Sequence, residues 1–260
     1  MGSKLKGLRY PRRTQVVLLA CIVMSLCSLA LITVCAVTPW YEVMELHSTS
    51  PSWKCDVQIL KSAFYGFMSC DCDEFRLGGT EDLDSWCTNG FYDWRSCDNC
   101  NRFGCGCAGE QKLWDATIGM TMIAWTSCAA STVMLFLQIS DKMKAYQTQT
   151  THTIIHYLNF NTVVFLVTAF LLFLGITRAV EADFTDLCSL ELGACDKFLG
   201  SKTGDILWEN FYYSYTSEWG PEVGWWSFLG AIPGSIIVAT GCFAYTGAYV
   251  KKHHDYDAVK

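Results

Sequence analysis

The signatures of catalysis are missing from this 260-residue sequence. It has no glycine-rich phosphate loop, no nucleophile elbow and no helix with the His-Glu pattern of zinc enzymes. It also lacks an Asn-x-Ser/Thr sequon, so N-linked glycosylation is not expected. We therefore predict a protein that is not an enzyme, that uses no cofactor and no metal, and that has no nucleic acid partner.

Charge is absent from four long apolar segments. They span residues 15–37, 117–139, 158–177 and 224–249. A helix needs roughly 20 apolar residues to cross a ~30 Å hydrocarbon core, so each segment is long enough to span a bilayer. The alternative is a soluble protein with buried core helices, but such helices rarely lack charge over this length, and four of them in one chain are rarer still. We predict four transmembrane helices.

The first segment has a second possible interpretation as a cleaved secretory signal, because a basic leader precedes it. Its apolar run is longer than the usual ~7–15 residues of a signal peptide. Pro39-Trp40 stands where small residues would precede a cleavage site. We therefore expect a retained helix.

The distribution of charge predicts the orientation of the chain. The tails and the link between the second and third helices together carry ten basic and three acidic residues, whereas residues 38–116 have a net charge of −7 and residues 178–223 of −6. Basic segments remain cytoplasmic. This predicts a multi-pass plasma membrane protein with both termini in the cytoplasm: tail 1–14, helix 15–37, outer loop 38–116, helix 117–139, link 140–157, helix 158–177, outer loop 178–223, helix 224–249 and tail 250–260.

The cysteines support the same sidedness. Ten of the 15 lie in the two acidic loops, eight in the first and two in the second, and none lies in a predicted cytoplasmic segment. Disulfides persist in oxidising compartments, so we favour disulfides over a thiolate metal site at residues 97–107. Eight cysteines allow 105 pairings, and the connectivity stays open. The disulfide candidates are Cys55, Cys70, Cys72, Cys87, Cys97, Cys100, Cys105, Cys107, Cys188 and Cys195.

Local patterns predict further structure in the loops. Residues 53–68 alternate and are rich in aromatics, which favours strands, whereas residues 97–109 indicate a cross-linked loop. Residues 208–219 fit either a strand or an aromatic belt at the membrane surface.

His152 and His156 lie one helical turn apart near the start of the third predicted helix. They indicate a hydrated helix end or, as the alternative, a pair that binds a metal ion or titrates together. Gly230, Gly234 and Ser235 favour close helix packing, and Pro233 predicts a kink.

The order of parts resembles the claudin and peripheral myelin protein superfamily. Trp40 follows the first helix, as a Trp does in that family. The segment Tyr65-Gly66-Phe67-Met68-Ser69-Cys70 is similar to the family's Gly-Leu-Trp-x-x-Cys motif, with Phe67 at the Trp position and the Gly displaced by one. Lys112 matches a basic residue before the second helix. Tetraspanins differ, because their large loop is the second one and carries a Cys-Cys-Gly triplet.

The sequence also departs from the family pattern. Cys70 has no partner about ten residues away, the first loop has six further cysteines, and the chain ends Asp-Ala-Val-Lys. Amastin-like and fungal cortical-patch proteins share the layout and remain open as nearer branches.

The resemblance implies a mostly α membrane protein, a four-helix transmembrane bundle with a small disulfide-rich antiparallel β extracellular domain. It gives Trp40, Gly66, Phe67, Cys70 and Lys112 structural roles, with Trp40, Phe67 and Cys70 seating the sheet on the bundle. The function it implies is adhesion, barrier formation or membrane scaffolding at cell junctions, through self-association. The alternative is an accessory subunit that binds a channel, receptor or larger membrane complex.

Overall fold

The computed structural model describes residues 12–50, 53–62, 66–72, 90–92, 108–139, 149–183, 198–208 and 211–257. Most of these residues are helical. Five helices are present in the described ranges: α1 (Arg12–Val37), α2 (Ala108–Ile139), α3 (Gln149–Phe173), α4 (Ile176–Asp183) and α5 (Val223–Asp257).

Four of these helices are long and apolar enough to cross a membrane. The candidate spans are Gln15–Val37, Gln111–Ile139, Thr150–Phe173 and Val223–Tyr245. Their large apolar side chains are widely exposed, as Val16, Phe160 and Phe243 illustrate. Apolar side chains on the outside of a membrane-spanning bundle face lipid, because the hydrocarbon core contains no water. The chain is therefore a four-pass membrane protein.

The helices extend beyond the predicted segments at several ends, and α1 begins at Arg12, inside the predicted tail 1–14. α2 begins at Ala108, inside the predicted loop 38–116, and α3 begins at Gln149, inside the predicted link 140–157. α5 continues past the predicted end at residue 249 to Asp257. A helix can continue beyond the hydrocarbon core, where it carries charged or polar residues. A prediction based on uncharged runs therefore does not include these helix ends.

The described strands form one antiparallel sheet of six strands. They are β1 (Pro39–Ser50), β2 (Trp53–Ser62), β3 (Gly66–Cys72), β4 (Gly90–Tyr92), β5 (Gly200–Trp208) and β6 (Phe211–Pro221), in the order β4-β3-β2-β1-β6-β5. β1 pairs with β6 from Tyr41 to Thr49. The two long loops of the sequence thus share a single sheet. Trp208 and residues 211–219, for which a membrane-surface belt was the alternative, belong to two of its strands.

The chain divides into two compact units. The bundle unit comprises Met1–Thr33, Gly119–Thr168 and Phe228–Lys260, and the sheet unit comprises Val34–Ile118 and Ala169–Ser227. Each contains sections of all four long helices, and each has a core of its own.

In the bundle unit, glycines of α5 allow close contact with α1. A Cβ atom added at Gly234 would lie 2.5 Å from Ser28 Oγ, and one added at Gly241 would lie 2.7 Å from Cys21 Sγ. The prediction that small residues on this helix bring backbones together is confirmed for Gly234. Contacts between small residues are the expected means of helix association in lipid, where burial of apolar side chains gives no advantage.

In the sheet unit, the core is aromatic. Trp40 is fully buried, and its ring centroid lies 5.6 Å from that of Trp114 and 5.3 Å from that of Phe173. The Trp40 indole N–H donates a hydrogen bond to the Cys35 carbonyl at the end of α1. The tilted and edge-on arrangements are those that aromatic rings favour.

Candidate functional site

The register of the sheet collects acidic residues on one face. Residues that lie directly opposite each other in neighbouring strands share a face, and so do residues two positions apart in one strand. Glu45 lies opposite Glu218, and Asp56 lies opposite Asp71. Asp205 lies opposite Ser214, four residues from Glu218 along β6. These five carboxyl-bearing residues therefore occupy the same face, which we call the acidic face.

The acidic face is open to solvent where its side chains are described. Ser201, Thr203, Asp205, Ser214 and Glu218 are all exposed. The Ser214 hydroxyl donates a 2.7 Å hydrogen bond to Asp205 Oδ1, which fixes this carboxylate across β5 and β6. Like charges placed directly opposite each other destabilise a sheet. The two acidic pairs therefore create a surface that attracts cations.

His47 lies on the same face opposite Asp56, and Lys54 is the only Lys or Arg whose register position falls on that face within β1 to β3. It lies opposite Thr49, at the end of the β1–β2 pairing. Lys202 of β5 lies between Ser201 and Thr203, which are on the acidic face. Because successive residues of a strand alternate between faces, Lys202 lies on the other face. The acidic character of this face is thus not cancelled within the described strands.

The register also brings two of the disulfide candidates together. Cys55 of β2 lies directly opposite Cys72 of β3. Cα atoms of directly opposite residues in an antiparallel pair are about 4.5–5.5 Å apart, which lies within the ~4.4–6.8 Å range that disulfides require. Cys70 lies opposite Val57. The candidates Cys87, Cys97, Cys100, Cys105, Cys107, Cys188 and Cys195 lie outside the described residues, and their pairing stays a prediction.

The residues predicted from the claudin resemblance occupy three different places. Trp40 lies at the centre of the aromatic core. Gly66 and Phe67 begin β3, where Phe67 is opposite Phe91 of β4. Lys112 lies within α2 and is exposed, so it does not precede the helix. Among these residues, the described contacts support a structural role for Trp40.

The aromatic core extends from Trp40 to the start of α5. The Tyr41 hydroxyl donates a 3.1 Å hydrogen bond to the Phe198 carbonyl. The ring of Phe198 lies 5.5 Å from that of Trp225, and Trp225 lies 5.0 Å from Trp226. β1, the segment before β5 and the first turn of α5 are therefore held by the same cluster of rings.

The bundle unit contains a polar chain that sequence reasoning missed. The Ser131 hydroxyl donates a 2.7 Å hydrogen bond to Asn159 Oδ1, and Asn159 Nδ2 donates to Cys242 Sγ at 3.4 Å. These hydrogen bonds link α2, α3 and α5. Cys21 of α1 belongs to the same buried cluster as Cys242, so every long helix contributes a residue.

A second set of hydroxyls and thiols lies beside this chain. Ser25 and Thr132 share a 2.6 Å hydrogen bond, and Cys128 Sγ lies 3.7 Å from Ser25 Oγ. The side chains around Ser25, Ser28, Asn159 and Ser235 leave no cavity large enough for a water molecule. The arrangement is suited to specifying how helices pack and offers no room for a substrate.

The two histidines do not mark a hydrated helix end. His152 is buried, and its Nδ1 lies 3.3 Å from Gln138 Nε2 of α2, while His156 is half-buried and its ring lies 5.8 Å from that of Phe243. The helix starts at Gln149, so both residues already lie within the bundle. Within the part of the chain that the structure describes, no group of three or more His, Cys, Asp or Glu residues is arranged to hold a metal ion.

Sequence alone offered one signal for the polar chain, because Asn159 is an amide at the start of an uncharged segment. Amides in such places are ordinarily assigned to helix ends. No protein-family model matches the chain, and no curated protein matches it. The structural observations therefore carry the functional argument by themselves.

Proposed function

We propose that this chain is a claudin-like four-pass protein of the plasma membrane that acts in cell adhesion, barrier formation or membrane scaffolding without catalysing a reaction. The observation that carries the proposal is the shared sheet, in which β1 from the first long loop pairs with β6 from the second. A sheet built from both loops presents one continuous surface, which is what a binding module requires.

The proposed orientation places both termini in the cytoplasm and the sheet outside the cell. The supporting argument is the bias of basic residues toward the tails and the link, and of acidic residues and cysteines toward the loops. In this orientation the acidic face would meet the extracellular solution and concentrate cations next to the membrane.

Disulfides are proposed to hold the outer domain. A domain of this size has a small core, and cross-links are a common remedy. Cys55 opposite Cys72 is the first pair that we expect to be bridged, because the register already supplies the required spacing.

The alternative function is an accessory subunit of an ion channel, receptor or larger membrane complex. The feature that favours it is the exposed side of α2, where Gly119, Thr126 and Ala130 are exposed and small. Small residues let the helix of another protein approach closely in lipid.

Purification from the native membrane distinguishes the two functions. The full-length protein is extracted in mild detergent without reductant, and every co-purifying protein is identified and quantified. Self-oligomers alone are expected for an adhesive or barrier protein, whereas one other membrane protein at fixed ratio would make the chain an accessory subunit. A monomer without partners would contradict both.

The same sample tests the disulfides by peptide mapping. A cross-linked peptide pair containing Cys55 and Cys72 is expected. Free thiols at these two positions, in a sample alkylated before extraction, would overturn the proposed bridge without affecting the test of self-association.

A further inference from the structure

Basic residues lie at one end of the bundle unit, and the proposed adhesive function does not use them. Residues 1–14 contain Lys4, Lys6, Arg9, Arg12 and Arg13 and no acidic residue. α1 begins at Arg12, whereas its candidate membrane span begins at Gln15. Arg12 and Arg13 therefore occupy the first turn of the helix, immediately outside the span.

α5 carries a second basic pair beyond its own span. The uncharged run of this helix ends before Lys251, and the helix continues to Asp257 and includes Lys251 and Lys252. Basic residues that directly follow a membrane span lie in the polar headgroup layer outside the ~30 Å hydrocarbon core.

The contact between α1 and α5 brings the two basic pairs to the same end. Ser28 and Cys21 are seven residues apart, and so are the glycines that face them, Gly234 and Gly241. The helices are therefore antiparallel neighbours in a fixed register. Continuing this register places Arg12 at the level of Val250, next to Lys251.

Acidic residues near this end are fewer and farther along the chain. Asp255 lies one helical turn after Lys251 and Asp257 lies beyond it, so they offset part of the charge of the α5 pair. The leader of α1 has no such neighbour in sequence. The dominant contribution is thus expected from Arg12 and Arg13.

We propose that this end of the bundle binds anionic phospholipids of the adjacent leaflet through Arg12, Arg13, Lys251 and Lys252. Clusters of four to eight Lys and Arg residues directly beside a membrane span attract anionic headgroups, and each basic residue near the surface strengthens binding roughly fivefold. Two antiparallel helices supply basic residues at one depth, which creates a site for a headgroup next to the protein.

The test is native mass spectrometry of the full-length protein in detergent, titrated with phosphatidylserine or with phosphatidylcholine. The wild-type protein is expected to retain phosphatidylserine preferentially and to lose this preference at high salt, because the attraction is electrostatic. The double variant R12Q/R13Q is expected to bind phosphatidylserine roughly 10- to 30-fold more weakly. K251Q/K252Q is expected to have a smaller effect of the same sign.

The matched control is K54Q/K61Q, which removes two positive charges from β2 of the sheet unit. Its affinity for phosphatidylserine is expected to stay within about threefold of the wild type, because β2 does not belong to the bundle unit. An equal loss in K54Q/K61Q and R12Q/R13Q would overturn the site in favour of general charge attraction. Equal retention of both lipids by the wild type at low salt would overturn the proposal even if a variant fails to fold.

Discussion

The interiors of the two units of this chain are built from different kinds of side chain. The bundle unit joins its helices through hydroxyls, an amide and thiols, with Asn159 at the centre. The sheet unit buries Trp40, Trp114 and Phe173 against one another. Helices in lipid gain nothing from apolar burial alone and depend on small and polar contacts. The sheet unit adds contacts between large rings where β1 meets the ends of the long helices, and two of these rings, Trp114 and Phe173, lie within candidate membrane spans. The difference shows that one helix can pack through polar contacts along one section and through aromatic rings at its end.

Removal of Trp40 is expected to have the largest effect. Trp40→Ala deletes a fully buried indole with two ring contacts and a hydrogen bond to Cys35, and is expected to cost about 3–5 kcal/mol in the free energy of unfolding. Thermal unfolding in detergent, followed by near-UV circular dichroism, measures the loss.

Trp226→Ala is the matched control for this variant. Trp226 belongs to the same ring cluster but is 56% exposed. Its removal is expected to cost no more than about 1.5 kcal/mol, the value of an aromatic pair. Equal losses in the two variants would show that the aromatic residues act as a membrane anchor and do not form the core of the sheet unit.

Close packing of α1 and α5 provides the next test. Gly234→Ala places a methyl group 2.5 Å from Ser28 Oγ and is expected to cost about 1–3 kcal/mol through overpacking. Gly119→Ala is the control, because nothing lies within 4 Å of its added Cβ and alanine favours the helix.

A rescue variant makes the test specific. The double variant S28A/G234A removes the clashing oxygen, and the next atoms, Ser28 Cβ and Met24 Cε, lie 3.9 Å from the added methyl group. It is expected to recover most of the stability lost in Gly234→Ala, measured as the midpoint of thermal unfolding. If S28A/G234A stays as unstable as the single variant, the two helices do not meet at this register.

Asn159→Ala breaks the polar chain of the bundle unit. It leaves the Ser131 hydroxyl and the Cys242 thiol without their shared partner, and we expect a loss of about 1–2 kcal/mol, as for hydrogen bonds between membrane helices. Asn161→Ala, two residues away and half-buried, is expected to change stability by less than about 0.5 kcal/mol. A neutral Asn159→Ala would mean that packing of small residues alone specifies this unit.

The sequence predicted the part of the fold that depends on long runs. Four spans were visible because lipid tolerates few charges in about 20 consecutive residues. The start of α2 at Ala108 was missed because Glu110, Lys112 and Asp115 belong to the helix outside the apolar run. A criterion based on charge finds the membrane-crossing section and stops there.

The pairing of β1 with β6 was beyond the sequence, because it joins segments more than 160 residues apart and no local pattern encodes it. The same is true of the acidic face, whose opposed pairs appear only once the register is known. Asn159 was recognisable as polar, but its role depends on residues of three other helices. Trp40 was singled out by family resemblance, and the structure buries it in the aromatic core.

The acidic face gives the smallest effect and the sharpest contrast between the units. Glu218→Gln removes one of two like charges that lie opposite each other in β1 and β6, so it is expected to stabilise the protein by about 0.2–1 kcal/mol at low salt. The gain should vanish in 1 M salt, where charges separated by more than about 3 Å are screened. Asp205→Asn is the control, because Asp205 accepts a hydrogen bond from Ser214 and its substitution should not stabilise the sheet. The contrary result is that the stability of neither variant depends on salt while Asn159→Ala remains destabilising. The opposed carboxylates would then not repel each other measurably, and the electrostatic argument that the acidic face attracts cations would fail.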